Sequence, residues 1–342
     1  MQLVAHYKLW LAALALAILV SCSPAQKTTD IQMFSGNTMG TYYVVKFIHD
    51  VEIDHVKLQQ QVDADLELVN DLMSTYRPQS ELMRFNAYKG SEPFVLSEPT
   101  RTVITEAIRI GKQTNGVLDV TVGPLVELWG FGAQGRIEQA PEQSQIDAVQ
   151  PYIGIEKLTL TALGLTKSTP NLAVDLSTIA KGYGVDRVAD ILEQAGIQNY
   201  LVEIGGEMRI KGAKPEQPWR IAIEKPETAE RSVQRVIAPG DMGVATSGDY
   251  RNYFEQDGVR FSHLINPHTG RPIQNRIVST TVFHPSCMTA DGYATALNIM
   301  DDEQEALDFA NKHQIAALLV VKTDDGYIEL VSEMFKPYIT EQ

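Results

Sequence analysis

YLVEI at residues 200–204, WRIAIE at 219–224, VQRVIA at 233–238, VRFSHLI at 259–265 and IVSTTVF at 277–283 are the runs whose reading decides the fold. Each is short, rich in β-branched and aromatic residues and bounded by turn formers, so each reads as a strand. They follow one another mostly through hairpin-sized links. That pattern predicts an α+β fold with mixed or antiparallel sheets and packed helices, not a doubly wound parallel sheet.

Upstream, the pattern predicts a helix over 178–195 stopped by Gly196, strands near 157–161 and 172–176, and a helix after Pro141. Two earlier helices carry Val62, Leu66, Val69 and Met73 on one face, and Val103, Ala107 and Ile110 on another, the second closed by Asn115-Gly116. Residues 32–48 read as a strand pair broken at Ser35-Gly36-Asn37. Downstream come helical stretches at 286–300 and 302–312, then a hairpin of 315–321 and 327–331 turned at Asp324-Asp325-Gly326. No repeat, low-complexity stretch or linker interrupts 31–342, so one compact domain is expected, with two lobes as an allowed internal division.

The N-terminus reads differently. His6 and Lys8 flank an apolar run over 9–20, followed by Leu19-Val20-Ser21-Cys22. The run is short of the roughly 20 residues a spanning helix needs, and an aliphatic residue three before a cysteine fits the site where a lipoprotein signal is cut. Residues 1–21 are therefore expected to be a signal peptide, Cys22 to carry lipid, and 22–30 to be a tether. Once Cys22 is lipidated, Cys287 is the only other cysteine, so no intramolecular disulfide can form. The formal charge of -14 disfavours nucleic acid as a partner. An anionic ligand would need a metal, a helix N-terminus or a placed lysine to reverse the sign locally.

No GxxxxGK[ST], strand-borne GxGxxG, HExxH, GxSxG or CxxC signature occurs. Three segments remain. In LAVDLSTIAKGYGVD (172–186) an apolar run ends in Asp175, Ser177 or Thr178 can cap a helix, and Lys181 falls in its first turn, where a cation opposes the macrodipole. An anion bound at that helix end would account for the lysine; a surface lysine near an N-cap aspartate is the plain alternative. In CMTADGYATA (287–296), Asp291 and Thr295 lie four apart and share a helix face, a hard-oxygen pair suited to Mg²⁺ or Ca²⁺. An N-cap aspartate with a back-bonding threonine is the alternative there. In FSHLINPHTG (261–270), His263 alternates with apolar neighbours on a strand, so it is either a general base facing a cleft or a satisfied structural histidine.

Taken in order, MGTYY, STYRPQSEL, GVLDVTVGPLVELWGFG, VDLSTIAKGYGVDRVA, YLVEIGGE, VATSGDY, SHLINPHTGRP and TADGYATAL resemble the FAD:protein FMN transferases of the ApbE family over nearly the whole chain after the signal. The resemblance implies a T-fold-like architecture and assigns 31–342 to the transferase domain. It implies that Met39, Tyr76, Val117, Leu118, Asp119, Asp175, Lys181 and Ile265 contact FAD. It further implies that Thr178, through its backbone carbonyl, joins Asp291 and Thr295 in holding Mg²⁺, and that His263 is the base. Two departures stand out: Gly184 where alanine is commoner, and Asn266 where aspartate is frequent.

The activity so implied is Mg²⁺-dependent transfer of FMN from FAD to a Thr or Ser hydroxyl of a target flavoprotein, leaving a phosphoester and releasing AMP. The implied targets are subunits of Na⁺-translocating NADH:quinone reductase, Rnf-type complexes or related flavoproteins. FAD hydrolysis to FMN and AMP, or non-catalytic FAD binding, are the alternatives. Location on the periplasmic side of the cell membrane follows from Cys22; the expected partners favour the inner membrane, while Ser23 permits the outer.

Overall fold

The computed structural model describes residues 30–49, 52–137, 139–215, 217–224, 233–248 and 252–339; the expected signal peptide and Cys22 lie outside them. Eight strands form the main sheet: β1 (Gln32–Thr38), β2 (Thr41–Ile48), β3 (Asn199–Ile204), β4 (Glu207–Lys211), β5 (Gly243–Gly248), β6 (Ile277–His284), β7 (Ala316–Thr323) and β8 (Gly326–Val331). They lie side by side in chain order, and every neighbouring pair is antiparallel. The α+β expectation holds.

Helices enter at two places. Between β2 and β3 come α1 (His55–Met73), α2 (Glu81–Ala87), α3 (Glu98–Gln113), α4 (Gly123–Leu128), α5 (Gln143–Val149) and α6 (Ala180–Gln194). Between β6 and β7 come α7 (Cys287–Ile299) and α8 (Glu303–Lys312). The chain is thus two successive strand-pair, helices, strand-pair units that share one sheet.

Side-chain alternation builds the layers. Tyr43, Val45 and Phe47 of β2 are buried against α1 and α6 through Leu66, Val185 and Val188, whereas Tyr42, which points to the opposite face, is exposed. In β7 both faces are buried: Ala317, Leu319 and Val321 join the helical core, and Ala316, Leu318 and Val320 join a second layer with Trp219, Ile221 and Phe335. The unbroken AALLVV run reflects that two-sided burial.

Three local expectations are overturned. The β1–β2 turn falls at Met39-Gly40, both left-handed (φ 50° and 71°), as a two-residue hairpin of the favoured twist requires. Gly36 sits inside β1 instead, opposite Tyr43, where a Cβ would stand 2.6 Å from the Tyr43 ring. Residues 172–176 are extended but form only a single parallel bridge, Ala173 to Val122. At their centre the backbone is satisfied by a side chain: Val174 N–H donates to Asn86 Oδ1, and Asn86 Nδ2 donates to the Val174 carbonyl, each at 2.8 Å.

Third, neither Ser177 nor Thr178 caps α6, which begins at Ala180. Ser177 Oγ is engaged by Asp175, and the Gly182 N–H donates across to Asp291 Oδ2 of α7 at 3.0 Å. The favour is returned by Asp186 of α6, which accepts from Cys287 N–H at 2.9 Å, Met288 N–H at 3.0 Å and Ser286 Oγ at 2.7 Å. Each helix therefore caps the other's N-terminus.

Gly182 makes that crossing possible. A Cβ there would lie 2.4 Å from the Cys287 carbonyl oxygen and 2.8 Å from Met288 Cα, both backbone atoms. Intrinsic propensity favours alanine over glycine in a helix by about 1 kcal/mol; overpacking against fixed backbone reverses the sign. Gly182→Ala is expected to lower unfolding stability by about 1–3 kcal/mol, read as a shift of the urea midpoint. A midpoint at or above the parent's would contradict the close approach.

Candidate active site

β4 and β5 pair only at Met208–Val244 and Arg209–Gly243. Beyond these residues the strands part, and a cavity of about 320 Å³ opens in the fork between Gly205 and Glu207 on one side and Thr246, Ser247 and Gly248 on the other. The first turn of α6 contributes Lys181, and the middle of α7, which crosses it, contributes Asp291 and Thr295.

The loop after α3 supplies Val117, Leu118 and Asp119, the extended stretch before α6 supplies Asp175 and Thr178, and the segment after residue 262 supplies His263 and Ile265. Tyr76 borders the mouth, its hydroxyl 3.4 Å from the Phe131 carbonyl. Met39 is the one described candidate that does not line this cavity. It lines an adjoining open groove of about 970 Å³ that shares Tyr76, Ser177 and Lys181 with it.

Asp119 and Asp175 are built alike. Asp119 Oδ1 accepts from the Thr121 N–H at 2.8 Å and Oγ1 at 2.6 Å. Asp175 Oδ1 accepts from the Ser177 N–H at 2.8 Å and from its Oγ. Burial pushes both carboxyls above the ordinary carboxylate range, against the pull of these donors. The Asp175 N–H donates to the Val120 carbonyl at 2.8 Å, which locks the two turns together.

Sequence reading missed Glu207, although it stands inside the quoted YLVEIGGE motif. It is 4% exposed, and Lys181 Nζ donates to its Oε1 at 2.8 Å while lying 3.9 Å from Asp291 Oδ1. Burial alone would lower the Lys181 ammonium, but the carboxylates of Asp291 and Glu207 more than offset it and hold the group charged. Burial, reinforced by Glu207, pushes Asp291 up, and Lys181 opposes that shift.

His263 Nδ1 lies 3.1 Å from the Asn252 carbonyl oxygen, which can only accept, so Nδ1 carries the proton and Nε2 is left as a lone-pair acceptor. Burial pushes the imidazole down to about 4, partly opposed by that hydrogen bond. Its ring meets the edge of Phe131 on an aromatic wall that includes Phe254, Phe261 and Trp129.

The donor set fits a hard divalent cation. Asp291 and Thr295 are buried one turn apart on α7. Because the Gly182 N–H goes to Asp291, the Thr178 carbonyl four residues before it receives no backbone donor among the described residues. Thr178 Oγ1 is also buried without a partner. No group of three His, Cys, Asp or Glu side chains among the described residues is placed to hold a metal unaided, which suits an ion that completes its shell with water and phosphate oxygens.

One of the two sequence departures has a physical account. Asn266 accepts from the His268 N–H at 2.9 Å and donates through Nδ2 to Asp301 at 3.1 Å, a bond an aspartate could not make. At Gly184 a Cβ would stand 2.8 Å from Met39 Cε, the free end of a flexible side chain that can move aside, so nothing in the structure explains glycine in place of alanine.

Residues 39–319 match the ApbE family. The chain is 55% identical over 335 residues to an FAD:protein FMN transferase of Vibrio cholerae, covering 97% of this chain and 99% of the relative. It is 47% identical over 338 residues to that of Haemophilus influenzae, covering 96% and 97%. Among solved structures, the flavin transferase ApbE from Vibrio cholerae superposes with a TM-score of 0.85 at 54% identity, covering 90% of this chain and all of that one (100%). The apo flavinyl transferase ApbE of Pseudomonas stutzeri gives 0.84 at 37% identity, covering 92% and 98%.

Proposed function

The chain belongs to the ApbE family and transfers FMN from FAD to target proteins, and we propose that it does so in the cavity at the fork of its sheet, onto a hydroxyl group and with Mg²⁺. The observation that carries this reading is convergence: a fixed ammonium, a hard-oxygen pair and a neutral histidine meet in one cavity from segments far apart in sequence.

In this reading FAD lies along the cavity and the adjoining groove, bordered by Met39, Tyr76, Val117, Leu118, Asp119, Asp175 and Ile265. Lys181 faces its diphosphate, and its ammonium together with a cation at Asp291 would offset the charge of the anion in an acidic protein. Asp291, Thr295 and the Thr178 carbonyl would hold Mg²⁺, which when bound supplies Lewis-acid neutralisation of phosphate charge.

A threonine or serine hydroxyl of the target attacks the FMN-side phosphorus. The new O–P bond replaces the bond to the bridging oxygen, which departs with AMP, and the hydroxyl proton passes to His263 Nε2. FMN is left on the target as a phosphoester.

Purified protein, FAD, Mg²⁺ and a peptide bearing a DxxSGAT-like motif are expected to give an FMN mass adduct on the peptide together with AMP. AMP without any adduct would favour FAD hydrolysis, and neither product would favour simple flavin binding. We propose the same acceptor chemistry for subunits of Na⁺-translocating NADH:quinone reductase, Rnf-type complexes or related flavoproteins.

We also propose that Cys22 carries the lipid that holds the enzyme on the periplasmic side of the cell membrane, the inner one by preference. Cys22→Ser is expected to move the protein from the membrane fraction to the soluble one. Retention on the membrane would remove the lipid anchor from the scheme.

A further inference from the structure

We propose that Glu207 is a positioning residue for the transfer: it holds the Lys181 ammonium away from Asp291 and toward the diphosphate of the bound dinucleotide, and it influences FAD affinity only through that lysine. The inference rests on the cavity being the FAD site.

Glu207 opens β4 directly after Gly205 and Gly206, both at positive φ (61° and 109°), so the chain turns sharply before it. The turn sets the carboxylate in the fork, where it lines the cavity. One oxygen, Oε1, takes the Lys181 ammonium at 2.8 Å; the other, Oε2, is buried without a partner among the described residues. A carboxylate placed only for stability would use both oxygens, since an unpaired buried acceptor is a net loss.

Lysine is long and flexible, and two carboxylates lie within its reach. Glu207 is the nearer, and Asp291, at 3.9 Å, is the one whose oxygens are needed for the cation. Without Glu207 the ammonium would settle on Asp291, occupying the cation's ligand and withdrawing from the diphosphate. The structure thereby separates two positive charges that would otherwise compete for one acceptor.

A double-mutant cycle on FAD binding tests this, read by flavin fluorescence in EDTA so that turnover plays no part. Glu207→Gln and Lys181→Met are each expected to weaken FAD binding about 10-fold, and the double variant no more than Lys181→Met alone. Melting temperatures establish that each variant is folded. If the glutamine variant does not fold, Glu207→Asp, which keeps the charge but withdraws it by one methylene, enters the same cycle with the same expected loss. Unchanged affinity in the folded Glu207 variant, or a full additional factor in the Lys181→Met background, would overturn the proposal. If Lys181→Met alone leaves FAD affinity unchanged, the assignment of Lys181 to the diphosphate falls and takes the proposal with it.

Discussion

Asp291→Asn is expected to abolish most of the transfer, by at least about 100-fold, while the protein remains as well folded as its parent. The asparagine keeps an oxygen to accept the Gly182 N–H, so the cap that Asp291 lends to α6 survives. It loses the charge that would pair with the proposed divalent cation. The neighbouring groups explain why stability should not suffer: Lys181 is shared by two buried carboxylates, and neutralising one leaves a balanced Lys181–Glu207 pair instead of an orphaned charge. Asp291→Ala removes the cap as well and should add a stability loss of about 1 kcal/mol. Steady-state AMP release against Mg²⁺ concentration, with thermal melts beside it, separates the two effects. Full turnover in the asparagine variant would remove Asp291 from the cation site.

His263→Ala is expected to slow FMN transfer by about 100- to 10,000-fold with FAD affinity nearly unchanged, since the imidazole acts on the acceptor hydroxyl and not on the dinucleotide. The pH dependence follows from the direction of its shift. Burial lowers the group to about 4, so the neutral, proton-accepting form already prevails at neutral pH. With Mg²⁺ saturating, so that Asp291 stays ionised, the rate should be flat from pH 8 down to about 5 and fall as pH drops through 4, whereas an unshifted histidine would lose activity below about 6.5. An inflection near that ordinary value, abolished in the alanine variant, would show His263 to be far more exposed in the working enzyme than its aromatic surroundings imply.

The fold class and the long helices were legible because they are written in local periodicity. Val62, Leu66, Val69 and Met73 are all buried on α1, and Val103, Ala107 and Ile110 on α3, as their spacing required. Local pattern failed where the partner is remote. Residues 172–176 look like a strand, yet Val174 at their centre is paired by the side chain of Asn86, 88 positions away. Gly36 looks like a turn and is a seat for the Tyr43 ring. The start of α6 was read from Ser177 and Thr178, whereas its cap comes from Asp291, 109 residues beyond Gly182. The site followed the same rule: residues flagged by unusual local context reached the cavity, and Glu207, an ordinary polar residue after two glycines, became visible only when β4 brought it against Lys181.

The parting of β4 from β5 also makes the site a property of both units of the sheet. Lys181, Thr178 and Glu207 belong to the first unit of the sheet, and His263, Asp291 and Thr295 to the second. A chain that stops before α7 has dinucleotide walls but lacks the hard-oxygen pair, and one that stops before residue 263 lacks the proton acceptor too. Catalytic competence is then a joint property of the two units, since neither alone carries both the ammonium and the hard-oxygen pair.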